Sequence, residues 1–149
     1  MLAWREALEE CGIGLSVWRI HRRVGMSGGL LTSALLRETG KPVTPEQSSE
    51  LQRRHAQAFA RQAGKVRALP GTRELLNALT KAGVPWAIAT SGRLDFAQRA
   101  IDVLQVGPKI PIITRDQVER AKPDPDLFFA AAERLAVDIH NCWVVGDSV

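Results

Sequence analysis

Cysteine is scarce in this chain. Cys11 and Cys142 are the only two, too few for a disulfide scaffold or a metal knuckle. No apolar run approaches the ~18 residues that a bilayer span needs. The opening Met1-Leu2-Ala3-Trp4-Arg5-Glu6 is charged too early for the apolar core of a signal peptide. His21, His55 and His140 are scattered, with no Cys or carboxylate at ligand spacing, and read as ordinary surface or half-buried side chains. Internal repeats and low-complexity tracts are missing too. These absences point to a soluble protein of a reducing compartment, the cytoplasm, with no membrane partner. One further absence matters later: residues 1–68 contain no aspartate.

What is present is globular. A chain of 149 residues with 45% hydrophobic and 24% charged side chains can bury roughly 68–70% of its unfolded surface. Its charge is lopsided. Residues 1–68 carry 11 Lys and Arg against 6 Asp and Glu, whereas residues 69–149 carry 9 against 10. A basic first half suggests an anionic partner, either a phosphorylated small molecule or a nucleic acid.

The first half reads as helices alone. Trp4–Glu10 is Ala/Leu/Glu-rich and ends at Gly12 and Gly14. Ser16 is placed to N-cap a helix reaching Val24. Gly25-Met26-Ser27-Gly28-Gly29 breaks the pattern before an apolar stripe at Leu30, Leu31, Ala34 and Leu35. Thr44-Pro45-Glu46-Gln47 is a start signal, with a cap residue followed by Pro at the first helical position. The helix it opens is expected to reach Ala63.

Leu69-Pro70-Gly71 marks a boundary, which divides the chain into domains 1–68 and 69–149. Beyond it helix and strand alternate. Helices are expected from Thr72, over Phe96–Leu104 and over Pro125–Leu135, with strands near 86–90, 110–113 and 142–146. That is the pattern of a parallel sheet wound with helices. The fold class is therefore α/β: a partial Rossmann-like parallel sheet behind an N-terminal all-helical domain. Trp4, Trp18, Trp86 and Trp143 are expected in cores, and Arg53, Arg54 and Arg61 on a solvated helix face.

Ligands of such sheets bind beyond the carboxyl ends of the strands. There the sequence places Thr90-Ser91-Gly92-Arg93, Thr114-Arg115-Asp116 and Gly146-Asp147-Ser148, with Lys122-Pro123-Asp124-Pro125 before the next helix. A hydroxyl at Thr90, small residues that leave backbone N–H groups free and a helix N-terminus make an anion cradle. Lys122 adds a point charge suited to phosphate. Asp147 is a hard oxygen ligand of the type Mg2+ prefers. Singly each fragment reads as a cap, a surface lysine or a turn; together they form a phosphoryl-transfer set.

These fragments resemble three motifs of the haloacid dehalogenase superfamily, closest to its phosphoglycolate-phosphatase and β-phosphoglucomutase-like branch. Ala87-Ile88-Ala89-Thr90-Ser91-Gly92 resembles the second motif, Ala121-Lys122-Pro123-Asp124-Pro125-Asp126-Leu127-Phe128 the third, and Val144-Val145-Gly146-Asp147-Ser148 the start of the fourth. The resemblance implies Thr90 and Lys122 as catalytic phosphoryl-holding residues, with Ser91, Gly92 and Arg93 as substrate contacts. It also implies Asp147 as a ligand of a Mg2+ cofactor. The helical half resembles the cap of this branch, with Met26, Ser27 and Gly28 as its substrate-facing loop and a simple turn between helices as the alternative.

The resemblance has a gap. The family's Asp-x-Asp-Gly-Thr motif, which carries the nucleophile and the acid/base, is absent. The chain is therefore expected to be an internal piece of a Mg2+-dependent phosphatase that works through an aspartyl-phosphate intermediate on a small phosphorylated metabolite, and to be inactive alone. β-Phosphoglucomutase-type transfer is the alternative within the family. The alternative outside it is a basic helical nucleic-acid-binding module over residues 16–37, against which a long Gly-rich turn and apolar Leu30-Leu31 weigh. Exposed sheet edges are expected to favour self-association.

Overall fold

The computed structural model describes residues 1–26, 28–40 and 44–146. Its described residues divide into two compact units, 1–65 and 66–146.

The first unit is helical. Its helices are α1 (Leu2–Glu10), α2 (Val17–His21), α3 (Gly28–Arg37) and α4 (Pro45–Gln62), followed by a 3-10 turn Ala63–Lys65. Local chemistry sets several of these limits. The Ser16 hydroxyl accepts from the Arg19 N–H at 3.4 Å and starts α2. At α4 the capping box is complete: Thr44 Oγ1 accepts from the Gln47 N–H, and Gln47 Oε1 accepts from the Thr44 N–H, each at 3.2 Å. Trp4, Ala7 and Leu8 of α1 sit one helical turn apart and pack with Ile20, Leu31, Leu35 and Leu51. Polar pairs tie the outer faces. Arg61 reaches Glu6 at 2.7 Å and Glu10 at 3.0 Å, and Arg54 reaches Glu50 at 2.6 Å. Arg53, Arg54 and Arg61 lie on a solvated face as expected and are paired there with carboxylates, Arg53 with Glu50 at 2.7 Å within α4 and Arg54 and Arg61 with Glu10 of α1 at 3.4 and 3.0 Å.

Two helical expectations change. The α2 helix stops at His21 rather than Val24, because the chain turns at Arg22–Arg23 and Gly25 takes a positive φ of 109°. Trp18 on that short helix is 66% exposed and lies beneath the Arg22 guanidinium, 5.8 Å from the ring centroid. It is not a core residue.

The second unit holds α5 (Thr72–Lys81), β1 (Ile88–Ala89), α6 (Leu94–Leu104), β2 (Ile112–Ile113) and α7 (Asp126–Leu135). The strands are parallel, with Ile88 opposite Ile112 and Ala89 opposite Ile113. Their bonds run from the Ile88 N–H to the Pro111 carbonyl and from the Thr90 N–H to the Ile113 carbonyl, both 2.9 Å. Pro111 keeps only its acceptor, which is why it fits at the start of a short strand. The small core joins Ile113, Ala121 and Leu127, with Ala89, Val118 and Ala130 against it.

The third expected strand, 142–146, does not form among the described residues. The sheet has two strands, and Cys142 is extended at φ −103°, ψ 148°. An extended backbone becomes a strand only when a neighbour completes its ladder, and no described segment does so. Trp143 and Val145 consequently stand 95% and 89% exposed, and Trp143 too is corrected from core to surface. The α/β class, with a small parallel sheet and a helical first half, is as the sequence pattern implies.

Candidate functional site

Thr90 and Lys122 are placed by one apolar cluster. Thr90 follows Ala89, the last residue of β1. Lys122 follows Ala121, which is 3% exposed and packs with Ile113 and Leu127. Consecutive Cα atoms are 3.8 Å apart, so Thr90 leaves β1 at the carboxyl edge of the sheet, and Lys122 lies one residue from the cluster that packs on Ile113 of β2. A four-residue turn, closed by the Asp124 N–H to the Ala121 carbonyl at 3.2 Å, presents Lys122; its Lys122-Pro123 bond is cis. The flanking Arg120 pairs with Asp124 and Asp126 at 3.8 and 3.9 Å. Lys122 itself makes no ion pair among the described residues.

The loop after β1 is unusual in its polar pairing. Thr90 Oγ1 accepts from the Gly92 N–H at 3.1 Å. A hydroxyl that accepts one bond retains its own proton to donate. Beside it the Ser91 Oγ is buried without a hydrogen-bond partner, an arrangement that costs about 1–3 kcal/mol unless something supplies the partner. A Cβ built on Gly92 would lie 3.4 Å from Thr90 Oγ1 and 3.7 Å from the Ala97 Cβ, so the glycine is close to, but not forced by, its neighbours. Two hydroxyls at one strand end are groups that can hydrogen-bond a tetrahedral oxyanion.

Arg93 is placed differently from the expectation. Its guanidinium is exposed and lies 3.7 Å from Asp95 and 3.5 Å from Asp116. The N-terminus of α6 is also taken: the Leu94 N–H donates to Asp116 Oδ2 at 2.9 Å. The cradle therefore does not extend to that helix end. Asp116, which the sequence places at this edge, is given its role only by the structure. It lies 22 positions from its partner, and no local pattern announces such a pairing.

Met26 packs against the core of the first unit, and Gly28 opens α3. Ser27 and Asp147 lie outside the described residues. The described residues do not by themselves fit a divalent cation, since no three His, Cys, Asp or Glu side chains cluster among them.

Comparison with known proteins gives this edge its context. The model of the haloacid dehalogenase-like hydrolase family matches residues 3–149. The chain belongs to that family. Among haloacid dehalogenase-like relatives, putative phosphatase YhcW of Bacillus subtilis (strain 168) is 30% identical over 149 residues, covering 97% of this chain and 66% of YhcW. Hexitol phosphatase A of Escherichia coli (strain K12) is 37% identical over 83 residues, 56% of this chain and 38% of the relative. The chain thus spans less than two thirds of the length of these relatives. The crystal structure of a hydrolase from Pseudomonas syringae superposes with a TM-score of 0.92 at 49% identity, over 99% of this chain and 68% of that one.

Proposed function

We propose that this chain supplies the phosphoryl-holding edge of a phosphatase acting on a small phosphomonoester. The observation that carries the reading is the loop after β1, where Thr90 Oγ1 accepts from the Gly92 N–H and keeps its own proton to donate and the buried Ser91 Oγ has no partner; Lys122, next to Ala121 of the cluster with Ile113 and Leu127, supports it as the proposed cation. Lys122 neutralises the phosphoryl oxygens, and Thr90 and Ser91 fix their orientation. Charge that develops on those oxygens during transfer is then met by groups already in place. The curated relatives support the hydrolytic direction over mutase-type transfer, since two are phosphatases by name.

In the whole enzyme the substrate's phosphorus is attacked by an aspartate, the alcohol departs, and water releases phosphate from the aspartyl-phosphate. The Asp-x-Asp-Gly-Thr motif that would provide this nucleophile is not in the sequence, so the 149 residues are proposed to bind phosphate without turnover. Mg2+ is the proposed cofactor, with Asp147 as its ligand. The helical unit is proposed as a cap over the substrate, and the cytoplasm as the location; no described helix is long and apolar enough to cross a membrane. Arg19 and Arg23 reach Glu38 at 3.5 and 3.3 Å, which leaves the basic stretch less free for a nucleic-acid backbone.

An amide-resolved titration of the chain with inorganic phosphate tests the reading. Shifts should centre on Thr90, Ser91 and the Ala121–Asp124 turn, and no phosphomonoester should be hydrolysed with or without Mg2+. Shifts confined to the arginines of the first unit would contradict it. Turnover would place a nucleophile in this sequence that the reading lacks.

A further inference from the structure

We propose that Asp116 is a positioning residue for the phosphate-holding loop, and that its carboxylate directs phosphate away from the N-terminus of α6. The proposal rests on the reading of Thr90 and Lys122 given above. Residues 90–93 join a two-residue strand to α6, and a strand that short offers the loop little support of its own. The turn after β2 supplies the support. The Arg115 N–H donates to the Gly92 carbonyl at 3.1 Å, and the Leu94 N–H donates to Asp116 Oδ2 at 2.9 Å. Asp116 Oδ1 lies 3.5 Å from Arg93 Nε. Arg93 occupies the N-cap position of α6 but makes no side-chain cap, so Asp116 performs the capping from across the sheet edge.

Two consequences follow from charge. A carboxylate at the helix N-terminus satisfies the partial positive charge that would otherwise draw a ligand anion there. Arg93, between Asp95 and Asp116, is neutralised for the same purpose. An arriving phosphate is then left with Thr90, Ser91 and Lys122. Asp116 makes the cradle selective by closing its alternative, while holding Arg93 and Leu94 next to the Gly92 carbonyl that the Arg115 N–H fixes, so that the Thr90 and Ser91 hydroxyls keep their places.

The test uses the 15N-labelled 149-residue chain, inorganic phosphate as the probe, and the variants Asp116→Ala and Asp116→Asn. In the wild type, the Thr90, Ser91 and Gly92 amides should shift with phosphate while the Leu94 amide stays still. A Leu94 amide that moves most means phosphate displaces the carboxylate, which overturns the proposal and leaves the phosphate site standing. No shift at residues 90–92 overturns the phosphate site itself, and the proposal with it. Asp116→Ala should weaken phosphate binding about tenfold at a temperature where the variant is folded. Asp116→Asn keeps an oxygen for the Leu94 N–H but not the charge, so phosphate should still shift the Thr90, Ser91 and Gly92 amides within about twofold of the wild-type affinity, and should now also move the Leu94 amide, because the helix N-terminus and Arg93 are no longer neutralised. A purely structural role would lower the melting temperature of Asp116→Ala and leave its phosphate affinity unchanged; that result overturns the proposal. Should Asp116→Ala fail to fold, a tenfold loss in Asp116→Asn overturns it, because the capping bond is retained there.

Discussion

His55 lies flat on Trp4, with ring centroids 3.7 Å apart and planes within 10° of parallel. The stack joins α4 to α1 on the edge of the first unit's core, where Trp4 is buried. Burial, helped by the positive amino terminus, pushes the His55 imidazole down to about 4. Folding therefore favours the neutral ring. A histidine whose folded pKa is depressed contributes stability that is complete above its unfolded value, about 6.5, and lost as pH falls toward 4. The shift corresponds to at most about 3 kcal/mol at 1.4 kcal/mol per unit. We expect urea midpoints of the chain to fall between pH 6.5 and 4.5, and His55→Phe, which keeps a ring on Trp4 without a titrating group, to flatten that dependence. An unchanged slope in His55→Phe would assign the pH sensitivity to other groups.

Leu127 connects stability to function in the second unit. It is fully buried against Ile113 and Ala121, and truncation to Ala should cost about 2–5 kcal/mol. Because the same cluster is proposed to position Thr90 and Lys122, Leu127→Ala should also weaken phosphate binding under conditions where the protein remains folded. Leu35, equally buried but in the first unit, is the control: Leu35→Ala should destabilise without altering phosphate affinity. Denaturant melts beside phosphate titrations of the two variants check this, and equal effects on affinity would remove the cluster's positioning role.

Legibility from sequence followed the range of the interactions. The Thr44–Gln47 capping box and the Ser16 cap are local, and both ends form where the sequence puts them. The parallel pair near 88 and 112 was readable because two apolar runs flank a helix with turn residues at each joint. Residues 142–146 were not, although Cys142-Trp143-Val144-Val145 has the composition of a buried strand. Composition records what a segment would do beside a partner, and no described segment pairs with it. Asp116 was placed at the sheet edge, but its role was unreadable for a related reason. Its partner Leu94 is set by how β1 and β2 align, which a one-dimensional pattern does not encode.

The same extended segment leads to a prediction about association. Trp143 and Val145 are almost wholly exposed, and β1 pairs with β2 alone among the described residues. Unpaired strand edges and bare apolar side chains are templates for pairing between chains. The isolated chain should self-associate in sedimentation velocity, and Trp143→Lys with Val145→Lys should shift it toward monomer without changing its helical content. A wild-type chain that sediments as a monodisperse monomer would remove the edge argument.

The central claim is that Lys122 and Thr90 hold a phosphoryl group together. Calorimetric titration of inorganic phosphate into the wild type and Lys122→Ala at low ionic strength tests it most directly. A charge-assisted bond to phosphate is worth roughly 1.5–3 kcal/mol, so Lys122→Ala should bind at least about tenfold more weakly. The wild-type affinity should itself decline as salt is added, because the lysine is partly exposed and screened. Equal affinities in the two proteins would contradict the account.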